Sequence, residues 1–265
     1  MGLKALLPTA GWQMNAGGSV LVVPCYNEAD RFKADEFRAF VIQQPATSLL
    51  FVDDGSTDGT LAILKRLQAE VPRIDVLHLT RNSGKGEAVR QGLLQALKTS
   101  GIAYVGFWDA DLATPLEAVG DLLEVLQDQP QIEMVFGSRV KLLGRQIERR
   151  PARHYLGRVF ATCASLVLNL PIYDTQCGAK LFRATADLQA VLQQPFLSRW
   201  IFDVELIARF QQLHAAGEGW SALRERIYEF PLHCWRDIPG SKVGPGDFLT
   251  AIRDLVIIRR RYKRQ

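Results

Sequence analysis

Between residues 19 and 138 the chain repeats one pattern, a short and almost wholly apolar run followed by a stretch of helical period. The apolar runs are SVLVVP (19–24), SLLFVDD (48–54), IDVLHLT (74–80), AYVGFWD (103–109) and IEMVFGS (132–138). RFKADEFRAFVIQQ, LAILKRLQAEV, GEAVRQGLLQALKT and LEAVGDLLEVLQD lie between them and read as amphipathic helices. Strands apolar at nearly every position are buried on both faces, and their alternation with helices builds a parallel sheet. The expected fold class is therefore α/β, a mostly parallel central sheet flanked by helices with a Rossmann-like first half. At 265 residues and 48% hydrophobic, the chain has enough apolar material for one large core.

After about residue 140 the alternation stops. RRPARHYLGRVFATCASLVLN reads as a basic amphipathic helix, and DTQCGAKLF contains a short strand. A helix through FDVELIARFQQL, a strand RIYEFPL and a final helix through GDFLTAIRDLVIIRRRY follow. The expected division is an N-terminal extension over 1–18, a single catalytic domain over 19–258 with halves 19–138 and 139–258, and a basic tail over 259–265.

Ligands of open parallel sheets bind beyond the carboxyl ends of the strands. In this chain those ends carry Asn27 and Glu28, Asp53 and Asp54, Arg81 and Asn82, then Asp109 and Asp111. NSGKGEA puts Lys85 between two glycines but is not GxxxxGK[ST], and no G-x-S-x-G is present, so a P-loop and a nucleophile elbow are both rejected. A crevice of carboxylates repels a phosphorylated ligand unless a hard cation sits between them. Asp109 and Asp111 share a strand face and suit Mg2+ or Mn2+. The bland alternatives are a helix N-cap before PLEAV for this pair and Asx-turn chemistry for Asp53 and Asp54 in DDGSTD.

Net charge is +4, with the positive charge gathered in 139–158 and 259–265. Two basic clusters point to a polyanionic partner. Nucleic acid is not the expected one, because it leaves the carboxylate crevice without a use. A helix apolar on one face and basic at its end suits an anionic membrane surface. Cys25, Cys163, Cys177 and Cys234 form no CxxC pair, so zinc is not expected and the thiols read as reduced. The longest apolar stretch is interrupted and falls short of the roughly 20 residues of a membrane span. The expectation is a cytoplasmic protein, peripheral at the inner face of a membrane, without a transmembrane helix.

VVPCYNEADR, LLFVDDGSTDGT, LTRNSGKGEAVRQG and FWDADLATP, in this order and spacing, resemble the family 2 inverting glycosyltransferases of the GT-A fold. DTQCGAKLF, RWIFDVELIARF and YEFPLHCWRDIPGSKV are similar to the dolichyl-phosphate β-glucosyltransferase branch and its polyprenyl-phosphate relatives. The resemblance implies transfer of a sugar, glucose in this branch, from a UDP-sugar donor to a polyprenyl phosphate. It implies a nucleotide-sugar site at Pro24, Tyr26, Asn27, Glu28, Asp53, Asp54, Arg81, Lys85 and Asp109, with Asp54 on the uracil. Asp109 and Asp111 become the metal-holding DxD. Mannosyl-type relatives carry a Gln two residues further on, where this chain has Ala113. Gln176, Cys177, Gly178 and Trp200 would line the sugar and acceptor region.

The acceptor decides the chemistry. A hydroxyl needs a general base, for which Asp203 is the candidate and Glu205 the next. A phosphate is largely ionised already and needs cations instead. Arg149, Arg150, Arg153 and Arg158 supply them from the basic helix, with Ser241 and Lys242 completing the clamp. The catalytic set is thus Asp203, Asp111 and Gln176, and the alternative to a phosphate acceptor is a soluble or protein-bound hydroxyl with Asp203 as base.

Overall fold

The computed structural model describes residues 13–149, 151–215, 223–238 and 245–262. The first half runs β1 (Gln13–Cys25), α1 (Ala34–Gln43), β2 (Thr47–Asp53), α2 (Thr60–Glu70), β3 (Ile74–His78), α3 (Lys85–Ala96), β4 (Ser100–Trp108), α4 (Ala118–Asp128) and β5 (Met134–Ser138). The second half runs β6 (Gln146–Glu148), α5 (Pro151–Leu168), β7 (Ala179–Arg183), α6 (Ala186–Val191), α7 (Phe202–Ala215), β8 (Ile227–Pro231), β9 (Cys234–Arg236) and α8 (Pro245–Tyr262).

Seven strands form one sheet in the order β3-β2-β1-β4-β7-β5-β8. β3, β2, β1 and β4 are parallel, as their apolar runs predict. β7 enters antiparallel between β4 and β5, so it separates two strands that the alternation alone would place side by side. β1 begins six residues before the apolar run, since Gln13 and Gly18 continue irregularly along β4. β6 and β9 pair in a separate two-stranded sheet that the sequence pattern does not announce.

The pleat sends alternate residues to opposite faces. Val20 and Val22 of β1 join Phe107, Phe136 and Phe182 under α3, α5, α7 and α8. Leu21 and Val23 join Phe51, Trp108 and Leu181 under α1, α2 and α4. Both faces are therefore covered, and the polar strand ends open only at the edge where β1, β2 and β4 finish. Pro151 starts α5, where its fixed φ suits a first helical turn and its missing N–H is not needed. Arg149 consequently precedes α5 instead of lying on it.

Candidate active site

β4 ends at Trp108, and the chain turns at once. Asp111 Oδ1 accepts the N–H of Ala113 at 3.0 Å, and Leu112 takes φ +54°. The Asx-type turn and a carboxylate pair thus coexist at one place. α4 starts at Ala118, three residues beyond Pro115, because 115–120 first form tighter turns in which each N–H bonds the carbonyl three residues back. The N–H of Asp109 donates to the carbonyl of Gly178 at 2.9 Å. A Cβ at position 178 would collide with the Asp109 carboxylate, so any other residue there forces that carboxylate to move. Arg236 of β9 donates its N–H to the Ala113 carbonyl at 3.0 Å, which clasps the small sheet onto the same turn.

Asp109 is about a third exposed and pairs with Lys85 Nζ at 2.5 Å. Burial, then the Asp109 charge, pushes the Asp111 carboxyl above its usual range, while the Ala113 N–H, Lys85 and Arg31 oppose the rise. Burial alone would lower the Lys85 pKa, yet the charges of Asp109, Asp203 and Asp111 outweigh it and raise it. An ammonium already stands against this carboxylate pair. The donor set is two hard oxygen groups, which fits a divalent cation. Among the described residues no cluster of three or more His, Cys, Asp or Glu forms a closed metal cage. A cation held by Asp109 and Asp111 would draw its other ligands from a bound phosphate or water.

The loops after β1, β2 and β3 meet beside this turn. Asn27, at φ +48°, accepts the Thr57 N–H on Oδ1 at 2.8 Å and donates its own N–H to Ser56 Oγ at 3.0 Å. Glu28 donates its N–H to Thr60 Oγ1 at 2.8 Å. Its buried carboxylate is paired with Arg31 through Nε and, at 2.7 Å, Nη2. Asp54, expected on the base, accepts the N–H groups of Ser83 at 2.7 Å and Gly84 at 2.8 Å. It braces the 81–85 loop, and burial, opposed by those N–H groups, raises its pKa. Asp53 is fully buried; Oδ2 meets His78 Nδ1 at 2.7 Å, whereas Oδ1 has no hydrogen-bond partner among the described residues. Pro24 and Tyr26 are half-buried around the same opening, and Arg81 is exposed at its rim.

On the other side, Arg139 and Asp174 form a buried bidentate pair, Nε to Oδ2 at 2.6 Å and Nη2 to Oδ1 at 2.7 Å. Burial would raise the Asp174 pKa, but the Arg139 guanidinium overrides it and holds it at about 2. Glu229 accepts the N–H groups of Tyr173 and Asp174, each at 2.7 Å. Gln176 is half-buried and donates its N–H to Asp174 Oδ1 at 3.1 Å, so this network fixes the turn that carries Cys177 and Gly178. Burial raises the Cys177 pKa, which keeps the thiol protonated and unsuited to attack. Arg149 lies across Gly157 of α5, where any side chain would meet its guanidinium. Burial, then the charge of Arg139, lowers its pKa.

Of the arginines expected along one helix side, Arg149 precedes α5 and Arg158 is on it. Arg158 donates to the Tyr173 carbonyl at 3.0 Å and stacks 3.6 Å over that ring. Arg150, Ser241 and Lys242 lie outside the described residues, and of Arg153 only its place on α5 is described. Asp203 is buried and ion-paired with Lys180 at 2.7 Å. Glu205 is fully buried among Arg209, Tyr262 and the Leu197 N–H, away from any crevice. Trp200 packs half-buried against the α7 side of the core. Arg31, Arg139, Asp174, Lys180 and Arg199, which reaches Asn82 Oδ1, went unread as a group. The GSR at the end of β5 and the Asp opening DTQCG were the available signals.

The description "Glycosyl transferase family 2" matches residues 20–189. A human dolichyl-phosphate beta-glucosyltransferase is 32% identical over 98% of this chain and 80% of its own length. The Drosophila melanogaster protein of that name is 34% identical over 91% and 74%. The fold is shared with Mycobacterium tuberculosis glucosyl-3-phosphoglycerate synthase, solved with Mn2+ and UDP-glucose, at TM-score 0.64 and 18% identity over 93% of this chain and 79% of that one. A Pyrobaculum calidifontis mannosyltransferase solved with GDP-Man and Mn2+ gives TM-score 0.58 at 17% identity, over 95% and 66%.

Proposed function

The chain belongs to glycosyl transferase family 2, and we propose that it moves glucose, with inversion, from UDP-glucose to a polyprenyl phosphate of the dolichyl type. The observation that carries the acceptor class is Arg149. Its half-buried guanidinium makes no hydrogen bond or ion pair with the described residues and lies within the field of Arg139, Asp174, Asp237 and Cys177. A cation without a contact partner among the described residues, in the field of the 176–178 turn, suits an anionic acceptor better than a hydroxyl. The relatives named dolichyl-phosphate beta-glucosyltransferase support the same acceptor.

In this reading residues 19–138 form the donor half and 139–258 the acceptor half. The loops at Pro24–Glu28, Asp53–Asp54 and Arg81–Lys85 hold the nucleotide. Asp109 and Asp111 hold Mg2+ or Mn2+, which offsets the charge that gathers on the departing diphosphate. Lys85 and Arg31, both in the field of the Asp109 and Asp111 carboxylates, add positive charge on that side. Arg149 orients the acceptor phosphate, whose second pKa of about 6 leaves it ionised at neutral pH. One phosphate oxygen forms its bond to the anomeric carbon as the bond to UDP breaks, so no side chain has to remove a proton. In this reading Asp203 serves Lys180, 2.7 Å away, and not the acceptor.

The acceptor is lipid-linked, and we place the chain on an anionic membrane surface. No described helix is long and apolar enough to cross a membrane. α5 exposes Tyr155, Leu156, Val159 and Leu166 along one stripe, and Leu143 protrudes fully from a loop beside the exposed Lys141. Apolar side chains edged by cations bind such surfaces. The test of the whole reading is transfer of labelled glucose from UDP-glucose to a short polyprenyl phosphate.

A further inference from the structure

Lys180 is a charge in the middle of a strand, 1% exposed. It stands in register with Phe107 of β4 and Phe136 of β5, and its ammonium lies 5.1 and 5.3 Å from the centroids of those rings. Neither the donor loops nor the acceptor arginines call for a cation there. An ammonium inside an apolar face survives only with close partners. It has two: Asp203 Oδ1 at the start of α7, at 2.7 Å, and the carbonyl of Cys177, at 2.5 Å.

These partners belong to different walls of the crevice. Cys177 immediately precedes Gly178, whose carbonyl takes the Asp109 N–H and whose missing Cβ makes room for the Asp109 carboxylate. Asp203 follows Phe202, whose ring packs closely on Gly86 beside Lys85. Lys85 in turn grips Asp109 at 2.5 Å. A displacement of the 176–178 turn or of the α7 start therefore reaches Asp109 from two sides.

We propose that Lys180 is a positioning residue, which from inside the sheet ties Asp203 to the Cys177 carbonyl and so holds the 176–178 turn in place against Asp109. The inference rests on reading the crevice as a glycosyl-transfer site. Asp203 serves in it as an anchor for the ammonium, not as a proton acceptor. Misplacing reacting groups by about 1 Å costs on the order of 100-fold in rate, so removal of the tie is felt in kcat. Donor affinity falls as well, since Asp109 belongs to the donor site, but less than kcat, because the Asn27, Asp53 and Ser83 loops also hold the nucleotide.

The full chain is assayed as wild type, Lys180→Met, Asp203→Asn and the double variant, with kcat and KM measured on whichever acceptor the wild type glycosylates. An error in the acceptor assignment thus appears in the wild type, before any variant is compared. UDP-glucose affinity is followed by calorimetry and folding by thermal melts. Lys180→Met is expected to lose more than about 30-fold in kcat while UDP-glucose binding falls by no more than about tenfold. Asp203→Asn takes the counter-charge from the buried ammonium, so kcat is expected to fall by at least about tenfold, and the double variant to lose no more than Lys180→Met alone. Full kcat in Lys180→Met overturns the proposal. Full kcat in Asp203→Asn, or losses that multiply in the double variant, also overturn it, and the Asp203→Asn arm decides the matter by itself if Lys180→Met does not fold.

Discussion

The backbone N–H of Asp109 donates to the carbonyl of Gly178 at 2.9 Å, and the space a Cβ would need at 178 is filled by the Asp109 carboxylate. The first aspartate after β4 and the turn before β7 are therefore one unit, although 69 residues separate them in the chain. The antiparallel insertion of β7 beside β4 brings them together. Donor and acceptor sides of the crevice share this contact.

Replacing Gly178 by Ala forces the carboxylate of Asp109 to move. Overpacking of this kind costs about 1–3 kcal/mol in a well-packed site. Calorimetry with UDP-glucose and Mn2+ is expected to show at least a roughly tenfold loss of affinity. The melting point should fall by only a few degrees, since the collision is at the rim of the core. Unchanged affinity would separate Asp109 from donor binding.

Arg149→Ala acts on the other partner. The KM for polyprenyl phosphate should rise by roughly tenfold or more, while the KM for UDP-glucose stays put. Thermal stability should not drop, because the guanidinium has no ion-pair partner among the described residues and is crowded by Arg139. Equal rises in both KM values would assign Arg149 to the fold instead.

The Arg139–Asp174 pair makes a prediction about acid. Asp174 titrates at about 2 in the folded chain against an ordinary 3.8, because Arg139 outweighs the effect of burial. A depressed carboxylate contributes stability that is complete above about pH 4 and is lost as pH falls through 2. The shift corresponds to about 2 kcal/mol. Urea unfolding of wild type and Asp174→Asn between pH 7 and pH 2 should give a stability gap that is constant down to about pH 4 and then narrows. A gap that widens in acid would contradict the pairing.

The exposed stripe of α5 makes a further prediction. Leu156→Ser with Val159→Ser should weaken cosedimentation with phosphatidylserine vesicles several-fold. Transfer to a short, water-dispersed polyprenyl phosphate should be left intact, since both side chains are exposed on α5. Vesicle binding that does not change would move the docking surface elsewhere.

Much of the first half was legible in the residues. Val20 to Val23 are apolar on both parities because both faces of β1 are covered, and Asp109 and Asp111 follow such a strand. The second half was not, for two physical reasons. AKLFR reads as a strand, but no sequence period reports that it runs antiparallel between β4 and β5. Spacing also places arginines on a helix without saying what they meet. Arg158 is taken by the Tyr173 ring and carbonyl, whereas Arg149 stands before Pro151 and off the helix. Glu28 and Asp54 were legible as polar residues at the strand ends, but not that Arg31 and the 83–84 backbone engage their carboxylates.

The most direct measurement incubates the chain with labelled UDP-glucose, Mn2+ or Mg2+ and two acceptors offered together, a short polyprenyl phosphate and the matching unphosphorylated prenol. The account predicts β-linked glucosyl phosphoprenol, formed only when the divalent ion is present, and no label on the prenol. Label on the prenol with none on the phosphate would contradict it.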